Sequence, residues 1–558
     1  MIDSLTIVSI IVTSLATIIY FFYVYHNKYF EKLGIPYRKS RSIWWLTLTA
    51  WFQRIAITDY LDSVYSVHSE AKYVGFFDFG VQTVMIRDTE LIKSITVKNF
   101  EQFVNHRVFI DPKYEPLFGN ILLTLQDDKW RHIRTLLTPT FTSSKMKAMF
   151  KLMMNCAVNF VDHLTGEQQK KGEPLIINSK DEFCRYANDA ITACAFSISV
   201  DSMKNPNNDF YLHGKTTISF GWFRLFKFFM IKDWQSLAKL LRFKVLKPVV
   251  NKFFINVVKD TIRMRDETGI SRPDMIQLMM DTRKSDNLKL SIEDMTSQAL
   301  VFFFGGFDSP TTAISFAAHE IAANPEVQTR LQAEIDGLIE ECKDEGVTYE
   351  ALNSLKYLDA VINESLRMWP VVPLLERVCS EDFVLPPTLP GKQPYTIKPG
   401  DSVWIPIYSI QRDPKHFDQP DKFNPDRFFN RSMTAFNAPF GLGPRMCIAY
   451  RFAIIQMKVV LMQLISKCQL SLPERMALPI KMPKNGFSMV PADRNSMSGS
   501  RSSSRNGSTS PTNNFDRRSS NLQSDEQQLS FRLQEAVENE DQLFGCKYDL
   551  LGKQYFLY

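Results

Sequence analysis

The sequence predicts a mostly α-helical domain with small β-sheets, carried behind a single N-terminal transmembrane helix. Three observations predict it: long stretches repeat apolar residues at helical spacing, short extended pieces lie between them, and one uncharged run near the start is long enough to cross a bilayer. That run, Leu5 to Tyr25 (LTIVSIIVTSLATIIYFFYVY), follows a non-basic start and precedes His26, Lys28, Lys32, Arg38, Lys39 and Arg41. A cleaved leader has a basic start, a shorter apolar core and a small-residue cleavage site. Residues 1–27 therefore read as an uncleaved membrane anchor whose basic flank, with the body behind it, stays in the cytosol.

Residues 28–494 contain no internal repeat and no Gly/Ser linker, and read as one domain. In chain order, DDKWRHIRTLL forms a helix that ends before Pro139. SIEDMTSQALVFFFGGFDSPTTAISFAAHEIAA runs from a cap-like Ser291 to just before Pro325, and PEVQTRLQAEIDGLIEEC and YLDAVINESLRMWP follow as helices. ERVCSEDFVL, YTIKPGDSVWIPIY and the region of GFSMVP read as extended. From Ile218 to Phe254 aromatic residues interleave with Lys and Arg, and Asp233 is the only acid. That segment reads either as a membrane-interface element or as an amphipathic helix pair on the core. Residues 495–528 lack the apolar content to repay their ordering entropy and read as a disordered Ser/Arg/Asn-rich tail. Residues 529–558 regain apolar residues and have room for a short helix of unknown role. RRSS, Arg517 to Ser520, resembles a basic-directed phosphorylation context.

Hydrophobic residues make up 45 % of the chain, enough for a large core. The net charge of +6 is small and the basic residues form no block, which argues against a nucleic-acid partner. Cys156, Cys184, Cys194, Cys342, Cys379, Cys447, Cys468 and Cys546 are scattered, without zinc spacing, and read as reduced thiols.

Cys447 differs from the others because FGLGPRMCIAY sets it after a glycine-punctuated loop and directly ahead of an apolar-periodic helix. A helix N-terminus favours a thiolate, the form that attacks or ligates metals. Gly441 and Gly443 let the loop curl close to whatever the sulfur touches, and Arg445 adds positive charge. FGLGPRMCIA fits F-x-x-G-x-R-x-C-x-[G/A] and resembles the cysteine-ligand loop of the cytochrome P450 haem-thiolate monooxygenases, with Phe440, Gly443, Arg445, Cys447 and Ala449 at the signature positions.

Further matches follow the same resemblance. ESLR places Glu364 and Arg367 one helical turn apart, and FNPDRF supplies Arg427, together the structural Glu-Arg-Arg network that holds the cysteine loop. WRHIR places Trp130 and Arg134 on one helix face; with Arg377 in LLERV and Arg445, they are the expected partners of the haem propionates. GGFDSPTT stands where the family has its oxygen groove: Gly305 and Gly306 remove bulk, and Asp308 and Ser309 relay protons. Two positions depart from the family pattern. Ser309 replaces the usual Thr and loses the methyl that fixes its rotamer, and Pro310 removes a backbone donor and is expected to kink, bulge or break the helix.

FEQFVNHR, WRHIRTLLTPTFTSSKMKAMF and ERVCSEDFVLP resemble the microsomal branch shared by arthropod detoxifying and vertebrate drug-metabolising members. The resemblance implies haem b ligated by Cys447, O2 as co-substrate and NADPH used through a partner flavoprotein reductase, with cytochrome b5 as a second electron donor. It implies the cytosolic face of the endoplasmic reticulum, contact with membrane lipid, and insertion of one oxygen atom into an apolar small molecule: a xenobiotic, lipid, steroid or terpenoid. Phe304, Val371 and Val372 are the expected apolar pocket residues. Lys129, Arg131 and Arg451 read either as a steering patch for an acidic reductase or as a solvated charged face. Two other activities stay open on the residues alone: a peroxide isomerase or dehydratase on the same haem-thiolate site, and a catalytically silent haem-binding membrane protein.

Overall fold

The computed structural model describes residues 28–38, 56–78, 81–107, 110–218, 235–272, 274–285, 290–429, 436–473 and 530–535, with isolated positions at 13–14, 227 and 230–231. Apart from Thr13 and Ser14, both helical, the expected anchor lies outside the described residues, as do the region of GFSMVP, most of the 218–234 stretch and the RRSS segment. Among the described residues no helix is long and apolar enough to cross a membrane.

The body is mostly helical, as expected. Its main helices are α1 (Ile57–Tyr65), α2 (Asp127–Leu137), α3 (Ser143–Lys171), α4 (Ser179–Ile191), α5 (Asp209–Ile218), α6 (Pro248–Thr268), α7 (Ile292–Ala323), α8 (Pro325–Glu341), α9 (Lys356–Met368) and α10 (Tyr450–Lys467). Their ends follow local chemistry. Ser291 and Asp294 form a reciprocal capping box at the start of α7, so two otherwise unsatisfied backbone donors are met. Pro325 sits in the first turn of α8, where its missing N–H costs nothing. Gly172, at φ +70°, ends α3 in the left-handed cap that a side chain disfavours.

The strands are short and fall into three small sheets. A four-stranded sheet runs β1 (Tyr73–Asp78), β2 (Val81–Ile86), β7 (Ser402–Ile405), β4 (Leu375–Val378). The β2/β7 pair is parallel, in register at Thr83↔Ser402, and the other two pairs are antiparallel. β5 (Phe383–Leu385) and β6 (Tyr395–Ile397) make a hairpin. A third sheet orders β3 (Leu175–Asn178), β9 (Ser530–Glu535), β8 (Cys468–Ser471), with both pairs antiparallel. The sequence leaves room for a helix in 529–558, but Ser530–Glu535 is a strand. Two strand edges on the body, β3 and β8, offer it ladder hydrogen bonds on both sides, and tertiary pairing of this kind overrides local preference.

Among the described residues two large apolar cores result, one among the helices around Phe303, Phe307 and Ile314, the other behind the four-stranded sheet around Tyr73, Phe76 and Trp404, with a small third cluster of Ile110, Met230, Ile231 and Ala238. Phe440 packs against the first and Leu442 against the second, so the cysteine loop bridges both. α7 runs through the helical core with most of its residues buried. Cys156, Cys184, Cys194, Cys342, Cys379 and Cys447 are free thiols.

Candidate active site

The cysteine loop is shaped by backbone contacts. Cys447 N–H donates to the Phe440 carbonyl at 2.8 Å, Gly441 N–H to Ala438 at 3.0 Å and Met446 N–H to Gly443 at 3.0 Å. Gly441 and Gly443 hold φ of +81° and +69°. At Gly443 the need is also steric, because a Cβ there would sit 1.8 Å from the Thr96 carbonyl oxygen. This glycine therefore docks the loop on the turn Ser94–Lys98, not on whatever faces the sulfur. Helix α10 starts at Tyr450, so Cys447 stands just ahead of the helix and not within its first turn. Its side chain is accessible although protein surrounds it. Burial pushes the thiol pKa up, while the Ala449 N–H and the Arg134 guanidinium pull it down. The positive charge acting on the sulfur comes from Arg134, not from Arg445 as the sequence suggests.

Arg445 instead donates to the carbonyls of Val104 and Leu125, each at 2.8 Å, and lies 4.0 Å over the Trp130 ring. Trp130 is buried beside Phe100, and Arg134, one turn on, is half-buried. Arg377 on β4 is 1 % exposed; it donates to the Glu376 carbonyl at 2.8 Å, and its Nε has no partner. Burial lowers the Arg377 pKa to about 10. Burial, then Arg377 and Arg134, lower that of Arg445 to about 9. None of these three arginines forms a salt bridge among the described residues: Glu376 accepts from Ser402 and Trp404, and Asp127 from Asn105. Three converging guanidinium groups without a carboxylate, beside an accessible thiol, fit a planar group that brings two carboxylates and a metal. Haem fits that description.

Glu364, Arg367 and Arg427 form one hydrogen-bonded network. Glu364 and Arg367 are both 0 % exposed and joined by two hydrogen bonds of 2.7 and 2.9 Å. Arg427 Nε donates to Glu364 at 3.3 Å, as does the Asn424 N–H at 3.0 Å. Arg367 also donates to the carbonyls of Gln411 and Pro420. Gln411, which the sequence does not flag, completes the connection: its amide donates to the Arg367 carbonyl at 2.9 Å and accepts from Ala438 N–H at 2.9 Å. Since Ala438 in turn accepts from Gly441, the network reaches the cysteine loop through one buried amide.

On α7 the two glycines divide their roles. A Cβ at Gly305 would meet nothing within 4 Å, whereas one at Gly306 would lie 2.5 Å from Ile191 Cδ1. Gly305 thus opens the exposed face, and Gly306 serves the close approach of α4, which corrects the paired reading. Ser309 lies one turn past Gly305 and its Oγ donates to the Gly305 carbonyl. Pro310 neither breaks α7 nor divides it. The carbonyl it leaves without a helical donor, Gly306, lies 3.5 Å from the Gln456 amide nitrogen of α10, at the outer limit of a hydrogen bond. Asp308 does not join Ser309; its carboxylate accepts from Lys180 Nζ at 2.6 Å. His106 is another residue the sequence leaves unmarked. Its Nδ1 lies 3.0 Å from the Glu376 carbonyl and 3.4 Å from Arg377, and burial, Arg377 and Arg445 lower its pKa to about 3.

The fold and this arrangement define a haem-thiolate class of protein: a helical body, an accessible cysteine in a glycine loop, and a helix with an open face. The chain belongs to the cytochrome P450 family, whose model matches residues 40–495. It is 36 % identical to cytochrome P450 9e2 of Blattella germanica over 519 residues, covering 88 % of this chain and 96 % of that protein. Probable cytochrome P450 9f2 of Drosophila melanogaster is 33 % identical over 84 % of this chain and 93 % of its own length. Cytochrome P450 6j1 of Blattella germanica is 32 % identical over 86 % and 96 %. These relatives place the chain in the arthropod detoxification branch, as a monooxygenase of a family that uses a haem with a cysteine thiolate ligand, O2, and NADPH through a reductase.

Proposed function

We propose that this chain inserts one oxygen atom of O2 into an apolar small molecule, a xenobiotic or an endogenous lipid, steroid or terpenoid, at the face of α7 that carries Gly305 and Ser309. The observation that carries the reading is the unmatched arginine set, Arg134, Arg377 and Arg445, around an accessible Cys447. Haem b bound there would supply the chemistry of dioxygen, and Cys447 would hold its iron as the thiolate. Arg134, Arg377 and Arg445, with Trp130, would hold its two propionates. Phe440, at the head of the loop, packs against the helical core, and Glu364, Arg367 and Arg427 keep the loop in place through Gln411.

One oxygen atom enters the substrate and the other leaves as water, so two electrons and two protons must reach the site. Asp308 and Ser309 are the proton-handling residues: the hydroxyl stands beside open space at Gly305, and the carboxylate lies one residue earlier on the helix. Electrons come from an NADPH-dependent flavoprotein reductase, with cytochrome b5 as a second donor. Of the proposed steering cations, Arg131 is already paired with Glu101 and Asp128, which leaves Lys129 and Arg451 as the stronger candidates. Phe304 and Val371 are partly buried and Val372 is half exposed, which suits an apolar ligand surface.

Membrane attachment rests on residues 1–27 as a single-pass anchor in the endoplasmic reticulum, catalytic body toward the cytosol. Exposed Leu237, Leu240, Leu241 and Val249, interleaved with exposed Lys239, Arg242 and Lys247, support a second, interfacial contact with lipid. The test is a carbon-monoxide difference spectrum of the reduced protein together with reductase-dependent NADPH turnover. A thiolate-type Soret band with turnover is expected; a histidine-type band would sink the Cys447 assignment. Peroxide rearrangement without reductase would replace the monooxygenase reading by the isomerase one.

A further inference from the structure

Lys180 occupies an unfavourable place. It lies in the first turn of α4, where the positive end of the helix dipole repels a cation, and its side chain is 13 % exposed. Its ammonium nevertheless points at α7, with Nζ 2.6 Å from Asp308 Oδ1 and 2.7 Å from Thr312 Oγ1. Asp308 and Thr312 are one turn apart on α7, so a single ammonium grips both across the helix boundary. Thr312 is buried and Asp308 is 28 % exposed, which leaves this ion pair poorly screened by solvent.

The grip has a geometric consequence. Successive residues of an α-helix point about 100° apart, so Asp308 and Ser309 face different ways. Ser309 shares the open face with Gly305; the Asp308 carboxylate is held off it, toward α4. The adjacent residue, Asp181, accepts from Tyr211 at 2.7 Å and Lys215 at 2.8 Å on α5, which fixes the start of α4 against a second helix. α5 in turn rests on α7, where a Cβ at Gly214 would lie 2.9 Å from the Phe307 ring. The position of Lys180 is therefore set by three helices, not by its own rotamer alone.

We propose that Lys180 is a positioning residue for proton delivery: by binding Asp308 and Thr312 together it fixes where the Asp308 carboxylate stands relative to Ser309 and the open face at Gly305. The inference rests on the reading of Asp308 as a proton-handling residue. Without the ammonium, the carboxylate loses its fixed place, protons arrive out of step with electrons, and reduced oxygen leaves as hydrogen peroxide.

The experiment uses the full-length protein with its NADPH reductase in the absence of added substrate, and reads hydrogen peroxide released per NADPH consumed. Lys180→Met is expected to raise that ratio about threefold or more, a modest share of what a general acid contributes, and Lys180→Arg to return it near the wild-type value. Thr312→Val, which removes one leg of the grip and keeps the charge pair, is expected to give a smaller rise, and it serves as the readout should Lys180→Met fail to hold haem. The carbon-monoxide spectrum confirms an intact site in each variant. Asp308→Asn separates the two ideas. If it raises the ratio while Lys180→Met and Thr312→Val do not, the positioning role is overturned and the proton-handling reading survives. If Asp308→Asn changes nothing, that reading falls and takes this inference with it.

Discussion

Two arginine clusters flank the cysteine loop, and they are opposites. In the Glu364–Arg367–Arg427 cluster both guanidinium groups have a carboxylate partner, and Arg367 has two backbone carbonyls besides. In the Arg134–Arg377–Arg445 cluster no carboxylate among the described residues forms a salt bridge, Arg377 Nε is orphaned, and Arg377 and Arg134 depress the basicity of Arg445. A buried charge left alone is expensive, so a fold keeps such a set only where something else completes it. The matched cluster is scaffold. On the proposed reading, the unmatched one is where a doubly anionic cofactor would sit.

The largest effect should come from the residue between the clusters. Cys447→Ala is expected to abolish reductase-dependent turnover and the thiolate-type Soret band, measured by NADPH oxidation and the carbon-monoxide spectrum; retention of that band would break the assignment. Next, Glu364→Ala leaves Arg367 buried without its partner and should cost about 3–5 kcal/mol, read by denaturant unfolding, with little intact haemoprotein recovered. A loss under about 1 kcal/mol would mean that the network is not the matched scaffold described.

The same logic applies to backbone groups. Ending the chain after Arg494 removes β9 and leaves β3 and β8 with unmatched edges, since these two strands pair only through it. At about 1 kcal/mol for each hydrogen bond lost, offset by solvation of the freed edges, stability should fall by roughly 2 kcal/mol, and deleting 496–527 alone should spare it. Equal stability of the two shortened chains would remove β9 from the fold.

A smaller effect is expected in the unmatched cluster. Arg377→Met keeps volume and removes an unpaired charge, so the haem-free chain should be no less stable, while haem should leave about tenfold faster, followed by transfer to an acceptor protein. A destabilised haem-free chain with unchanged haem release would reverse the comparison. His106 provides the finest probe of the same field. Its pKa is lowered to about 3 in the folded protein, against 6.5 ordinarily, so the native state binds fewer protons between those values. Its contribution to stability is then complete above pH 6.5 and lost as pH falls toward 3. In Arg377→Met its titration, followed by NMR of the imidazole, should move upward, because one of its lowering causes is gone.

The sequence by itself determined a good deal here, because some constraints are local. The capping box at Ser291, the helix stops before Pro139 and Pro325, and the pairing of Glu364 with Arg367 at one helical turn all act over a few residues, so composition and spacing state them. The cysteine loop was legible for the same reason: its order of residues is continuous in the chain. What only the tertiary structure decided lies between segments far apart. Gln411 gave no sign of its bond to Ala438, Lys180 none of its hold on Asp308, and nothing in Gly305 and Gly306 says that one faces open space and the other Ile191. Pro310 stayed inside an unbroken helix because surrounding packing outweighs one lost hydrogen bond, and Ser530–Glu535 became a strand because two edges were there to receive it. Local rules fix what a segment can be. Which partner completes a buried charge, carbonyl or strand edge is settled only when distant segments meet, since that is where the cost of leaving it unmet is felt.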